Sequence, residues 1–396
     1  MRVAVPLLQR YIFGELIRVF VFVLLCLSVL LVFVGVFKEA TDNGLGPMQV
    51  LAILPYVIPT ILPFTIPAAL LLTVSLVFGR MAGDQEVTAA KAAGVSVATL
   101  LWPSFVMGAV LSICCLLLSD QVIPWALTNI ERTVVAAMED IIFDHLRSEH
   151  QFNDRQHGLY VVVADVQGRR LIRPVFTIMS GHQTKSLCAE EATIELDVKR
   201  QEIQIQLTNG FVELDKQGQV FINKPQPHSI SWRSGEKGVL VRHMPIETLN
   251  REVQTARTER TREQERMLIA TAFALTSGDF DTLSDPKKNP HHLKARDCEK
   301  QTFRMTTEIH TRYALACSCL FFVLVGSPLA VLKAQSRFLT SFLYCFVPIV
   351  TGYYPLVLGL MAQSKKGFVD PAWAMWVGNA VLAYVGWWLL QRVARH

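Results

Sequence analysis

Six long apolar stretches punctuate the chain, at about residues 17–37, 51–78, 100–123, 313–332, 338–362 and 373–390. Each approaches the ~20 residues that an α-helix needs to cross a bilayer core, and soluble cores do not require such runs. Between the third and the fourth the pattern changes. Residues 124–151 read as a helix, and from 158 to 241 the period falls to two. The runs YVVVADV, PVFTI, ATIELDV, EIQIQL, FVEL and QVFI are short and rich in β-branched side chains. Gln167-Gly168, Asn209-Gly210 and Gln217-Gly218 read as turns between them. Such strands predict an antiparallel sandwich or jellyroll. Residues 246–266 mix charges of both signs with only three spaced apolar positions, Leu249, Val253 and Ala256, which predicts a mostly solvated helix. Residues 286–298 read as a polar linker.

The predicted architecture is therefore an α-helical integral membrane protein of six transmembrane helices, three and three, with an inserted extracytoplasmic antiparallel β domain of jellyroll type. Residues 1–123 hold the first three helices with a cytoplasmic loop at 80–98. Residues 124–305 form the outer region, with a β core at about 158–245 and a charged segment at 246–305, and residues 306–396 hold the last three helices. Charge sets the orientation. Arg2 and Arg10 precede the first apolar run and Arg18 lies at its very start, whereas Lys38 after it is balanced by Glu39 and Asp42, which places the N-terminus in the cytoplasm. Six crossings bring the C-terminus to the same side, where Trp387, Trp388, Arg392 and Arg395 mark the interface and Lys333 and Arg337 a tight turn. Lys365 and Lys366, in a predicted outer loop, run against the rule. The first run is too long for a secretory signal core and is read as a retained span.

Composition supports the membrane class and removes others. Hydrophobic residues make up 51% of the 396 positions and charged residues 18%. The net charge of +5, without a long basic block, gives no footprint for nucleic acid. The sequence holds no G-x-x-x-x-G-K-[ST] loop, no G-x-S-x-G elbow and no H-E-x-x-H helix, so no catalysis of its own is expected and any work must be powered from elsewhere. His145, His150, His157, His291, His292 and Cys298 match no common zinc spacing and read as solvated positions. Six of the cysteines fall in apolar runs. Cys188 and Cys298 lie outside them, and their spacing does not decide whether they pair.

Three groups of residues carry candidate function. The stretch GRMAGDQEVTAAKAAGVSV, residues 79–97, is a polar helix between two spans, with Asp84 placed to cap it and Gly94 to end it. Glu86 and Lys91 are its charged points and Ala89, Ala90, Ala92 and Ala93 allow close approach, which suits a docking helix; a plain surface turn is the alternative. The second span carries Pro55, Pro59, Pro63 and Pro67, each four residues after the last. Each removes a helical hydrogen bond, so the carbonyls freed line up on one side. That face is either a bendable gate beside a substrate path or a static kink. Lys38, at the outer end of the first span, either meets the phosphate of an amphiphile or anchors at the interface. Glu308, His310 and Arg312 read as ordinary interfacial polarity.

Residues 59–96, PTILPFTIPAALLLTVSLVFGRMAGDQEVTAAKAAGVS, resemble the second span and following loop of the lipopolysaccharide-export permeases of the LptF/LptG type. EIHTRYALACSCLFFVLVGSPLAV, residues 308–331, is similar to their fourth span, and PAWAMWVGNAVL to their last. The resemblance implies an inner-membrane half-permease of an ATP-binding-cassette exporter. Two six-span subunits, copies or paralogues, would form a cavity that takes lipopolysaccharide or a similar glycolipid from the membrane and passes it through periplasmic β-jellyroll domains to a bridge protein. A separate cytoplasmic ATPase dimer would use the ATP, with no cofactor on this chain. Glu86 matches the family glutamate that engages this ATPase, and Lys38 approximates a basic residue that contacts glycolipid phosphates. The chain departs from the family in the long charged stretch 251–300 and in offering only Lys333 and Arg337 after the fourth span. A membrane-anchored periplasmic scaffold, and a permease of another cassette class moving lipoproteins or drugs, are the rival readings.

Overall fold

The computed structural model describes residues 4–43, 47–154, 159–168, 170–180, 183–197, 202–214, 218–222, 226–231, 241–277, 290–332, 343–344 and 346–395. Six helices there are long and apolar enough to cross a membrane: Leu7–Gly35, Leu51–Gly83, Val97–Val134, His291–Leu332, Phe346–Lys365 and Pro371–Val393. Several run beyond the apolar stretches that announce them, because backbone hydrogen bonding continues into polar flanks while hydropathy stops at the bilayer edge. The chain divides into two compact units, the first made of Met1–Phe37, Tyr56–Leu127 and Leu240–His396, the second of Lys38–Pro55 and Thr128–Val239.

The first unit is a helix bundle. Helix α1 (Ala4–Asn43) buries Ile12, Leu16, Phe20 and Val23, one stripe at helical spacing. They share a core with Leu70, Val74 and Phe78 of α2 (Pro47–Gly83), Leu101 and Met107 of α4 (Val97–Leu117), and Cys319 and Val323 of α7 (Pro290–Leu332). Lipid is as apolar as leucine, so helix contacts here gain from close packing more than from water exclusion. Glycine supplies that closeness: a Cβ at Gly108 would lie 3.2 Å from Val323 Cγ2, and one at Gly386 only 2.6 Å from Leu324 Cγ. A second core joins Phe322, Ile349, Tyr353, Val357 and Leu382. There Tyr353 donates to Asn379 Oδ1 at 3.1 Å, and Asn379 Nδ2 donates to the Ala314 carbonyl at 2.8 Å. This ties α9 (Pro371–Arg395) to α7 beside a π-helical turn, Ile349–Tyr353, that leads into α8 (Tyr354–Lys365). The outward faces are apolar: Phe22, Phe33, Trp102 and Ile113 are each at least 60% exposed, as expected of side chains that meet acyl chains.

Residues 290–298 are helical rather than linker, since α7 begins at Pro290; positions 286–289 lie outside the described residues. The reason is a partner. Helix α6 (Ile246–Ser277), eleven residues longer than its predicted 246–266, runs antiparallel to this part of α7 and buries Leu249, Val253 and Ala256 against Met305 and Ile309. Arg260 meets Glu299 at 3.0 Å, and His291 Nδ1 lies 2.7 Å from Glu263 Oε2. With Ile246, the three apolar positions are the buried ones of α6, and most of the remainder is exposed, as the charge pattern predicts.

The second unit holds a nine-stranded antiparallel sheet. Its main path runs β1 (Gln151–Asp154), β2 (Leu159–Val162), β5 (Val175–Ser180), β6 (Gln183–Asp197), β4 (Arg170–Ile172) and β3 (Asp165–Gln167). Strand β7 (Glu202–Leu214) pairs with β6 along its length, with β8 (Gly218–Ile222) at 210–214 and with β9 (Gln226–Ser231) at 202–207. Asn209-Gly210 is therefore no turn. It marks the place where one continuous strand changes partners, which a local turn signal cannot be told from. Gly168, at a left-handed φ of 65°, does turn β3 into β4. Helix α5 (Ile123–Glu149) ends on the sheet: the Val163 N–H donates to the His150 carbonyl at 2.9 Å, and Arg147 Nη2 to that of Gly168 at 3.0 Å.

Candidate functional site

The polar loop between α2 and α4 forms a seven-residue helix, α3 (Glu86–Ala92). Gly94, with φ 80°, ends it. Its N–H donates to the Lys91 carbonyl at 2.9 Å and the Val95 N–H to that of Ala90 at 3.0 Å, a Schellman closure that needs a left-handed residue at this place. The start differs from expectation. Gln85, itself left-handed at φ 62°, takes the capping position and Asp84 sits in the turn before it, so no side chain caps the helix. Val87 is buried and holds α3 to the bundle, while Ala89, Ala92 and Ala93 are exposed and Glu86 and Lys91 half-buried. Nearby, Arg80 at the end of α2 meets Glu15 of α1 at 3.0 Å, and Glu15 also pairs with Arg18 at 3.2 Å. The structure thus gathers Glu86, Lys91 and Gly94 on one short element, with Asp84 beside it. Glu15 carried no signal beyond being an acid just ahead of the first apolar run.

The four prolines all lie in one uninterrupted helix, α2. Pro55 is exposed, Pro59 half-buried, and Pro63 and Pro67 buried. Pro63, Thr60 and Phe64 face a cavity of about 150 Å³ whose other walls include Ser119, Tyr354, Glu308 and Arg312. The last two are buried and not simply interfacial. Arg312 is 5% exposed and Glu308 8%, and Arg312 Nε lies 3.4 Å from Glu308 Oε1. Its other nitrogens donate to the carbonyls of Met244 and Arg242, at 2.8 and 3.1 Å. A buried guanidinium is tolerable only when it is paired and its donors are used, as here. Together these bonds clamp the chain at 242–244, just ahead of α6. Asp120 fixes the next step, accepting from the Ile246 N–H at 2.6 Å from within a π-helical turn, Leu118–Val122. Pro124 follows that turn and cannot donate to the Asp120 carbonyl, a local reason for the wide turn. Asp120 was missed; an acid inside an apolar run is the signal that could have found it.

Lys38 lies in the α1 helix, but its side chain is outside the described residues, as are Lys333, Arg337 and His157. Among the described residues no three His, Cys, Asp or Glu side chains gather as a metal site. Cys188 and Cys298 are not joined by a disulfide. Cys115 and Cys319 bring their sulfurs to 3.7 Å in the core between α4 and α7.

Two features, the closed polar helix between spans and the presence in one chain of a helix bundle and an antiparallel sheet, fit the sequence profile that matches residues 10–392, that of the lipopolysaccharide export system permease LptF/LptG. The chain belongs to this family. No curated protein matches it. Membership makes the chain a transport component of the multi-pass membrane class and of lipopolysaccharide export, not an enzyme family.

Proposed function

We propose that this chain is one half of the permease of an ATP-binding-cassette exporter in the inner membrane. It pairs with a second six-span subunit, a copy or a paralogue, takes lipopolysaccharide or a similar glycolipid from the bilayer, and passes it through a jellyroll-like periplasmic domain to a bridge protein. Both termini are cytoplasmic and the layout is three spans, β domain, three spans. The observation that carries the reading is α3: a short helix with an alanine face, two charged points and a glycine closure, held rigidly between two spans. Hydrolysis of ATP belongs to a separate cytoplasmic dimer, and Glu86 is the peg that enters it, with Lys91 beside it, Gly94 fixing the exit and Asp84 the approach. Closure of the ATPase pair then moves α2 and α4 as rigid bodies. The proline face of α2, Pro55 to Pro67, is the part that yields, because the helix lacks a hydrogen bond at each turn there. Lys38 meets a glycolipid phosphate at the outer end of α1.

The test is charge reversal. Glu86→Arg is expected to abolish co-purification of the ATPase in mild detergent and to stop glycolipid release from membranes. Undiminished association together with undiminished release would remove the role assigned to α3.

A further inference from the structure

The helical hairpin of α6 and α7 and the loop ahead of α9 enclose a cleft of about 350 Å³, apart from the cavity beside Pro63. Its position is set by the helices. Helix α4 packs against α7 in opposite sense, Cys115 on Cys319 and Gly108 near Val323, so Leu332 lies towards the α3 end and Thr302–Thr306 towards the other. Thr306 stands seven residues before Tyr313, where the apolar part of α7 begins, a rise of about 10 Å. Pro371, also in the wall, opens the last span. The cleft therefore lies just beyond the bilayer edge, at the level of a lipid head group and not of its chains.

Its lining mixes polar side chains with the apolar surface of Phe303 and Pro371. Arg257 and Arg260 of α6 line it; Arg257 has no ion-pair partner among the described residues, while Arg260 pairs with Glu299. Thr302 and Thr306 donate their hydroxyl protons to the carbonyls of Cys298 and Thr302, each at 2.8 Å, and so offer lone pairs to a ligand. Asp370 is engaged in capping α9 through the Ala372 N–H, at 2.8 Å. Phe303 closes one side, with the loop passing tightly over it at Gly367, whose φ of 83° and 3.2 Å approach to the Phe303 ring strain any larger residue there. Two arginines and two threonine hydroxyls lining one cleft suit a ligand that carries both phosphate and hydroxyl groups.

We propose that this cleft binds the phosphorylated saccharide head group of a membrane glycolipid, and that the long charged segment serves to build it. The inference rests on the export reading for the source of the ligand, though not for the binding itself.

The experiment uses the full chain in phosphatidylcholine nanodiscs, titrated with a bisphosphorylated glucosamine disaccharide that has no acyl chains, the same disaccharide without phosphate, and inorganic phosphate. Saturation-transfer NMR and calorimetry report binding, and release of labelled lipopolysaccharide from proteoliposomes containing the whole complex is measured in parallel. The phosphorylated disaccharide is expected to bind at least roughly tenfold more tightly than either comparison, and Arg257→Gln to weaken it by roughly tenfold or more. Thr306→Val weakens it several-fold, with the melting temperature of both variants unchanged. Equal affinity in both variants, equal affinity for inorganic phosphate, or no binding of the disaccharide to the wild type overturns the proposal. Release that continues while the variants bind normally removes this site alone. Binding that depends on Arg257 in a complex that releases no lipopolysaccharide removes the export reading and leaves the site.

Discussion

Arg312→Met isolates the contribution of one buried cation. Methionine keeps much of the stem and removes the guanidinium, leaving the Glu308 carboxylate, in a side chain 11% exposed, without its partner and the carbonyls of Arg242 and Met244 without their donors. Breaking one side of a buried, hydrogen-bonded pair costs about 3–5 kcal/mol. At roughly 2 °C or more per kcal/mol, the melting temperature should fall by about 6–10 °C. The double variant Glu308→Gln, Arg312→Met removes the orphaned charge and leaves two unpaired carbonyls, so about half of the loss should return. Thermal unfolding in a single detergent, followed by tryptophan fluorescence, measures both values. Hydrogen exchange at 241–246 should accelerate in the single variant before the rest of the bundle opens. A single variant that melts within about 1 °C of wild type, or a double variant no better than the single, would refute the clamp.

Other positions respond in opposite directions. Gly386→Ala sets a methyl 2.6 Å from Leu324 Cγ and 3.0 Å from the Leu324 carbonyl oxygen, and should destabilise the bundle by about 1–3 kcal/mol, whereas Gly359→Ala, with nothing within 4 Å, should be neutral or slightly stabilising in the same melts. The hydrogen bond from His291, aided by Arg266 and Lys294, holds the Glu263 carboxyl below its ordinary value of 4.5. A depressed carboxyl stabilises the fold above its unfolded pKa and loses that contribution as pH falls through the folded one, so amide protection where His291 at the start of α7 meets α6 should drop on acidification below 4.5, and not in Glu263→Gln. Pro63→Ala and Pro67→Ala restore helical donors to α2 and should raise its thermal stability while slowing glycolipid release; unchanged release in both would mark the proline face as a static kink.

The membrane helices were legible because twenty consecutive apolar residues have few other uses, and Gly94 because a left-handed helix end selects glycine. Strand runs such as PVFTI and QVFI were legible by alternation. What escaped depends on partners distant in sequence. Nothing local separates Asn209-Gly210 inside β7 from a hairpin turn, since the partner exchange between β9 and β8 happens across the sheet. Residues 290–298 look like a linker until α6 supplies the surface they pack on. The Arg312 clamp joins a side chain to carbonyls 68 and 70 positions away, a contact with no periodicity to read. Asp84 illustrates the reverse error: the right residue type for a cap, displaced by one position because Gln85 turns left-handed first.

The central claim, a permease half driven by a separate ATPase, is tested most directly by purifying the tagged chain from its native membrane in mild detergent and identifying bound proteins and lipids together by mass spectrometry. The account predicts a soluble ATPase, a second six-span subunit and a phosphorylated glycolipid in one complex. Recovery of envelope proteins with neither ATPase nor glycolipid would contradict it.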